Sequence, residues 1–152
     1  MKRASIFSLV LAAIVAVATL NLQAQQGRLI EIEGNDQMKF SVTEITAKPG
    51  ELLTVRLRTV GKLPKMAMAH NFVLLAAKTD AAAFAQEAAL AGATQYIPAK
   101  RKGEVLAATD LAGAGETVEV TFKAPAEAGS YDYICSFPGH FAAGMRGKLV
   151  VK

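Results

Sequence analysis

The 152-residue chain carries one cysteine and two histidines, which excludes an internal disulfide, a c-type haem attachment and a four-ligand Cys/His zinc site. Its length suits one domain with a real hydrophobic core, and 52% apolar with 20% charged residues describes a globular chain rather than a disordered one or a coiled coil. A net charge of +4 raises nucleic acid as a partner only until the charge is located along the chain.

Met1-Lys2-Arg3 precedes an apolar run from Ala4 to Leu20, and the polar stretch Asn21-Leu22-Gln23-Ala24-Gln25-Gln26 follows. This is the layout of a secretory signal peptide, expected over residues 1–24 with cleavage after Ala24, or after Ala18 as the alternative. A retained membrane anchor is the competing reading, but 17 apolar-run residues sit at the lower limit for a span and no basic stop signal follows. Removing 24 of the 152 residues leaves a domain of 128, and losing Lys2 and Arg3 lowers +4 to +2. The remaining charge is scattered apart from Lys100-Arg101-Lys102, which reads as a solvated loop and not as a nucleic-acid surface.

Along residues 25–152 the pattern is mostly that of strands. Leu29 to Glu33, Thr54 to Arg58 and Thr117 to Phe122 alternate apolar and polar residues, the period of a strand with one face in a core. Met38 to Thr46, Asn71 to Ala76, Val105 to Ala108, Tyr131 to Cys135 and Lys148 to Val151 are further strand candidates, separated by Gly- and Pro-containing turns. Thr79 to Leu90 is rich in helix formers, with Asp80 as its expected N-cap and Gly92 as its expected stop. Seven or eight short strands with one inserted helix predict an all-β, Greek-key β-sandwich or barrel.

The chemistry concentrates in Cys135-Ser136-Phe137-Pro138-Gly139-His140-Phe141-Ala142-Ala143-Gly144-Met145. One tight loop offers a thiolate, an imidazole and a thioether, and the only other imidazole, His70, stands at the head of the strand Asn71 to Ala76. Two imidazoles and a thiolate with a weak axial methionine are the donor set of a blue-copper electron-transfer site. Singly, each residue has a plainer reading: a buried small cysteine, a core methionine, a hydrogen-bonded core histidine. Together, and with an unpaired cysteine in an oxidising compartment, they favour one copper site.

Cys-x-Phe-Pro-Gly-His followed by Met, together with Leu63-Pro64-Lys65-Met66-Ala67-Met68-Ala69-His70-Asn71-Phe72-Val73-Leu74, resembles the azurins and auracyanins, members of the cupredoxins. The resemblance spans essentially the whole mature chain and implies a cupredoxin-like fold. It implies His70, Cys135 and His140 as equatorial ligands of one type 1 copper ion and Met145 as the axial one. Asn71 matches the residue that braces the ligand loop, the Phe137 backbone N–H would point at the cysteine sulfur, and the Ala69 carbonyl would stand as a distant axial oxygen. Three departures are visible: His140 to Met145 is five residues where azurins usually have four, Ala69 replaces the usual glycine, and no azurin-type disulfide can form.

The resemblance further implies a small periplasmic electron carrier and no enzyme, with one edge of His140 exposed as the electron's exit. Leu63, Pro64, Met68, Phe137, Pro138, Phe141, Ala142 and Ala143 would surround it as a weak apolar docking patch. A c-type cytochrome or a copper or haem reductase is the expected partner, with no nucleic acid and no stable membrane span after cleavage. A copper carrier or storage protein using the same ligands is the alternative. A cysteine nucleophile is disfavoured because the chain gives no signal of oxyanion donors or a substrate pocket.

Overall fold

A computed structural model describes residues 27–152, so the expected signal segment lies outside the described residues. Eight strands occur in chain order: β1 Arg28–Asn35, β2 Glu44–Ala47, β3 Leu52–Val60, β4 Val73–Leu75, β5 Val105–Ala108, β6 Thr117–Lys123, β7 Gly129–Ile134 and β8 Arg146–Val151. One α-helix, α1 Ala81–Ala88, and two 3-10 turns, Gly92–Thr94 and Ala99–Glu104, fill the connection from β4 to β5. The strands form two sheets, β1-β3-β6 and β2-β8-β7-β4-β5, with β1 parallel to β3 and β2 parallel to β8. This two-sheet sandwich with one short helix is the predicted fold class.

Alternation in the sequence sets which side of each strand is buried. Leu53, Val55, Leu57 and Thr59 of β3 face inward and are essentially inaccessible, while Arg56 and Arg58 face out. On that outer face Arg56 pairs with Glu31 of β1 and Glu119 of β6, and Arg58 with Glu33. Exposed pairs of this kind contribute about 0–1 kcal/mol each, so they steady register more than they stabilise the fold. The inward residues join Ile32, Phe40, Ile45, Phe72, Tyr133, Leu149 and Val151 in one core that reaches Cys135 and Met145.

Three expected elements are shorter than their patterns, one of them the Asn71 to Ala76 strand, which spans only Val73–Leu75. The Met38 to Thr46 strand begins only at Glu44, because the Asn35 side chain accepts from the Gln37 and Lys39 N–H groups and Met38 adopts a left-handed φ of 55°. Such an Asx-type turn takes the backbone groups that a ladder would need. The helix is capped by Asp80 as expected, with Oδ1 accepting from Ala82 N and Ala83 N at 3.0 Å each. It ends at Ala88, before Gly92: Leu90 N and Ala91 N bond three residues back in a tightened last turn, and Gly92 starts a 3-10 turn instead. Lys100-Arg101-Lys102 lies on the second 3-10 turn, where Arg101 packs over Phe84 and bonds Glu104.

Candidate metal centre

Four segments deliver the site. His70 is pinned just before β4 by a two-bond bridge with Ala112, His70 N to Ala112 O at 2.9 Å and the reverse bond at 2.8 Å. Cys135 follows β7 directly, and its N–H donates to the Met145 carbonyl at 3.0 Å, closing the loop across the base of β8. Within the loop, His140 N bonds Phe137 O at 3.1 Å and Met145 N bonds His140 O at 2.9 Å. Gly139 and Gly144 take φ values of 82° and 95°, conformations that a side chain would strain. The fourth segment is β1, whose Gly34 opens the space that the His70 ring and Met145 share. A methyl group on Gly34 would meet His70 Cδ2 and Met145 Cε, both at 2.9 Å.

His70 Nδ1, His140 Nδ1 and Cys135 Sγ converge within 4.8 Å of one another in a fully buried cluster. The two Nδ1 atoms are 3.2 Å apart, and Sγ lies 3.4 Å from His140 Nδ1 and 4.0 Å from His70 Nδ1. A first-row metal in a trigonal plane, with imidazole bonds of about 2.0–2.1 Å and a thiolate bond of about 2.3 Å, would hold these atoms roughly 3.5–3.8 Å apart. The observed separations bracket that range, so the three donors fit one ion. Met145 is fully buried, and its Cε and the His70 ring both approach Gly34.

Burial keeps all three donors neutral in the absence of a cation. It pushes the Cys135 thiol up to about 12, against the Asn71 and Phe137 backbone N–H groups that favour the thiolate. It holds His140 down at about 4, helped by the neighbouring His70. His70 is lowered by the same burial, with the Asn35 carbonyl and Asp36 opposing it. Two neutral imidazoles therefore present lone pairs at neutral pH, while the thiolate forms only when a cation displaces its proton. His70 Nε2 is buried without a hydrogen-bond partner. Nδ1, which faces His140 Nδ1 and Cys135 Sγ, is the ring nitrogen placed for a metal.

Asn71 braces the loop as the resemblance implied. Its Oδ1 accepts from Ser136 N at 2.9 Å and its Nδ2 donates to Ser136 Oγ at 2.9 Å, all buried. Sequence reasoning missed what stands behind it: the Gln95 carbonyl accepts from Asn71 Nδ2 at 3.4 Å, and Gln95 Oε1 accepts from Leu111 N at 3.1 Å. It also missed Gly34, for which a glycine closing an alternating strand was an available signal of close approach. His140 differs from expectation: it is only 1% exposed, because the Phe137 ring lies 4.8 Å from it and the loop folds over its edge. Phe137 itself belongs to the core, whereas Leu63, Pro64 and Ala142 are exposed at this end of the molecule.

A family model described as copper binding proteins, plastocyanin/azurin family, matches residues 27–152. The chain belongs to that copper-binding family. Auracyanin-A of Chloroflexus aurantiacus is 41% identical over 118 residues, covering 76% of this chain and 68% of that protein. Azurin of Pseudomonas denitrificans is 40% identical over 126 residues, covering 81% and 97%. Among solved structures, the blue copper protein auracyanin A of Chloroflexus aurantiacus superposes with a TM-score of 0.71 at 38% identity, covering 84% of this chain and all of the other. Auracyanin from Roseiflexus castenholzii gives 0.72 at 32% identity, covering 84% and 99%. Copper is thus the cofactor of this azurin- and auracyanin-like blue copper protein, and the buried donor set suits it. No helix among the described residues is long and apolar enough to cross a membrane.

Proposed function

We propose that the protein carries single electrons between redox partners through one type 1 copper centre, with His70 Nδ1, Cys135 Sγ and His140 Nδ1 as equatorial ligands and Met145 as the axial ligand. The observation that carries this reading is the convergence of two neutral imidazole nitrogens and a thiol within 4.8 Å in a buried pocket. Bound there, copper supplies one-electron exchange between Cu(II) and Cu(I). The chain's own residues supply rigidity: the Ala112 bridge fixes His70, Asn71 fixes Ser136 beside the cysteine, and loop hydrogen bonds fix His140 and Met145. Donors that cannot rearrange keep the geometry similar in both oxidation states. Their burial excludes water from the open positions that metal hydrolysis would need, which favours a carrier over an enzyme.

On this reading residues 1–24 are an export signal, residues 25–152 work in the periplasm, and a c-type cytochrome or a copper or haem reductase meets the loop end. The interface would be small and weak, so that the partner leaves after each transfer. Electron self-exchange of the copper-loaded protein is the test. Fast exchange between Cu(I) and Cu(II) forms supports the carrier, while slow exchange with ready release of Cu(I) to an acceptor would point to copper delivery instead. Met145→Leu should shift the reduction potential and leave copper bound; loss of the metal would give Met145 a larger role than an axial ligand.

A further inference from the structure

Residues 136–145 contain no Asp, Glu, Lys or Arg, yet two cations are anchored to them from outside. Lys39, in the connection from β1 to β2, donates from Nζ to the Ala143 carbonyl, and a methyl group on Gly144 would meet that Nζ at 2.8 Å. Arg146 opens β8 directly after Met145, and its guanidinium carbon lies 5.0 Å from the centre of the Phe141 ring. Both side chains are exposed. Arg28, Arg56, Arg58 and Arg101 each hold a carboxylate, but among the described residues neither Arg146 nor Lys39 does. Asp132, the one carboxylate in the cleft beside Arg146 and Phe141, is held by Lys148 at 2.7 Å.

We propose that Lys39 and Arg146 form a cationic rim on an apolar electron-exchange face, and that this face docks a redox protein whose own apolar centre is rimmed by carboxylates. The inference rests on the electron-transfer reading and adds the partner's chemistry to it. Uncharged Pro138, Gly139 and Ala142 provide the centre, and the two cations flank it from separate elements. Because a backbone carbonyl and an aromatic face already hold them, they lose little freedom on docking. Rim charges act mainly on the rate of encounter and its salt dependence, which suits a partner that must be met quickly and released quickly.

The test uses the copper-loaded, reduced full chain, oxidised in a stopped-flow instrument by either hexacyanoferrate(III), an anion, or tris(phenanthroline)cobalt(III), a cation. One electron passes to the oxidant in each case, and the ratio of the two rates cancels any change in driving force. At low ionic strength the anion-to-cation rate ratio should fall about three- to tenfold in the Lys39→Gln/Arg146→Gln double variant, and the difference should fade as salt is raised. Lys39→Arg/Arg146→Lys should restore the ratio. Lys123→Gln, which loses one positive charge at the far end of β6, should leave it unchanged. An unchanged ratio in the double variant, or an equal drop in Lys123→Gln, would overturn the rim. If Arg146→Gln alters the copper spectrum, Lys39→Gln alone decides, with an unchanged ratio again overturning it. Failure of the wild-type chain to pass an electron to either oxidant is a distinct result: it removes the electron-transfer reading, and the rim with it.

Discussion

At Gly34 one methyl group would have to displace His70 or Met145, since it meets a carbon of each at 2.9 Å. Gly34→Ala should therefore destabilise the fold by about 1–3 kcal/mol, the usual range for overpacking, and alter the visible spectrum of the copper form. Urea unfolding together with an absorption spectrum checks both halves. Titration gives a second prediction, for the metal-free protein. His140 is held near 4 in the fold and returns to its ordinary value of 6.5 on unfolding. Between those values the unfolded chain binds a proton that the fold refuses, so apoprotein stability falls as pH drops from about 6.5 to 4 and is not further reduced by this group below that. His70 shifts in the same direction and adds to the effect. Apoprotein unfolding curves at pH 7 and pH 4.5 would show it. Cys135, His140 and Met145 were legible because they sit within eleven residues of sequence. Gln95 and Lys39 were not, because each acts through a contact formed only when distant segments meet, and Gly34 showed only as a glycine closing an alternating strand.

Element boundaries show the same division between local and tertiary causes. The Asp80 cap was readable because its partners are two and three residues away, and Asp80→Ala should cost about 1 kcal/mol in thermal unfolding without changing the copper spectrum. The end of α1 was not readable. Burial of Phe84 and Ala88 anchors the helix, and the chain then turns so that Gln95 and Tyr96, both with positive φ, can reach Asn71 and Phe137. β2 likewise yields its first residues to the turn around Asn35 and Met38. In both places the apolar pattern is real and the backbone hydrogen bonds go elsewhere. The strands with the cleanest alternation, β3 and β6, appear where the pattern predicted them.

At the scale of the molecule, two sheets hold the site's four segments at one end, and no disulfide secures them. Copper should supply part of that function: free metal at about 100 times its dissociation constant adds roughly 2.7 kcal/mol, so the melting temperature should rise on loading. Uptake at pH 7 should release about one proton per copper, from the Cys135 thiol, because both imidazoles are already neutral. The central claim is that this thiol becomes the copper's sulfur ligand, and the visible absorption spectrum of the Cu(II)-loaded protein tests it most directly. An intense thiolate-to-copper band that disappears in Cys135→Ser is the predicted result. A colourless Cu(II) form of the intact protein would contradict the account.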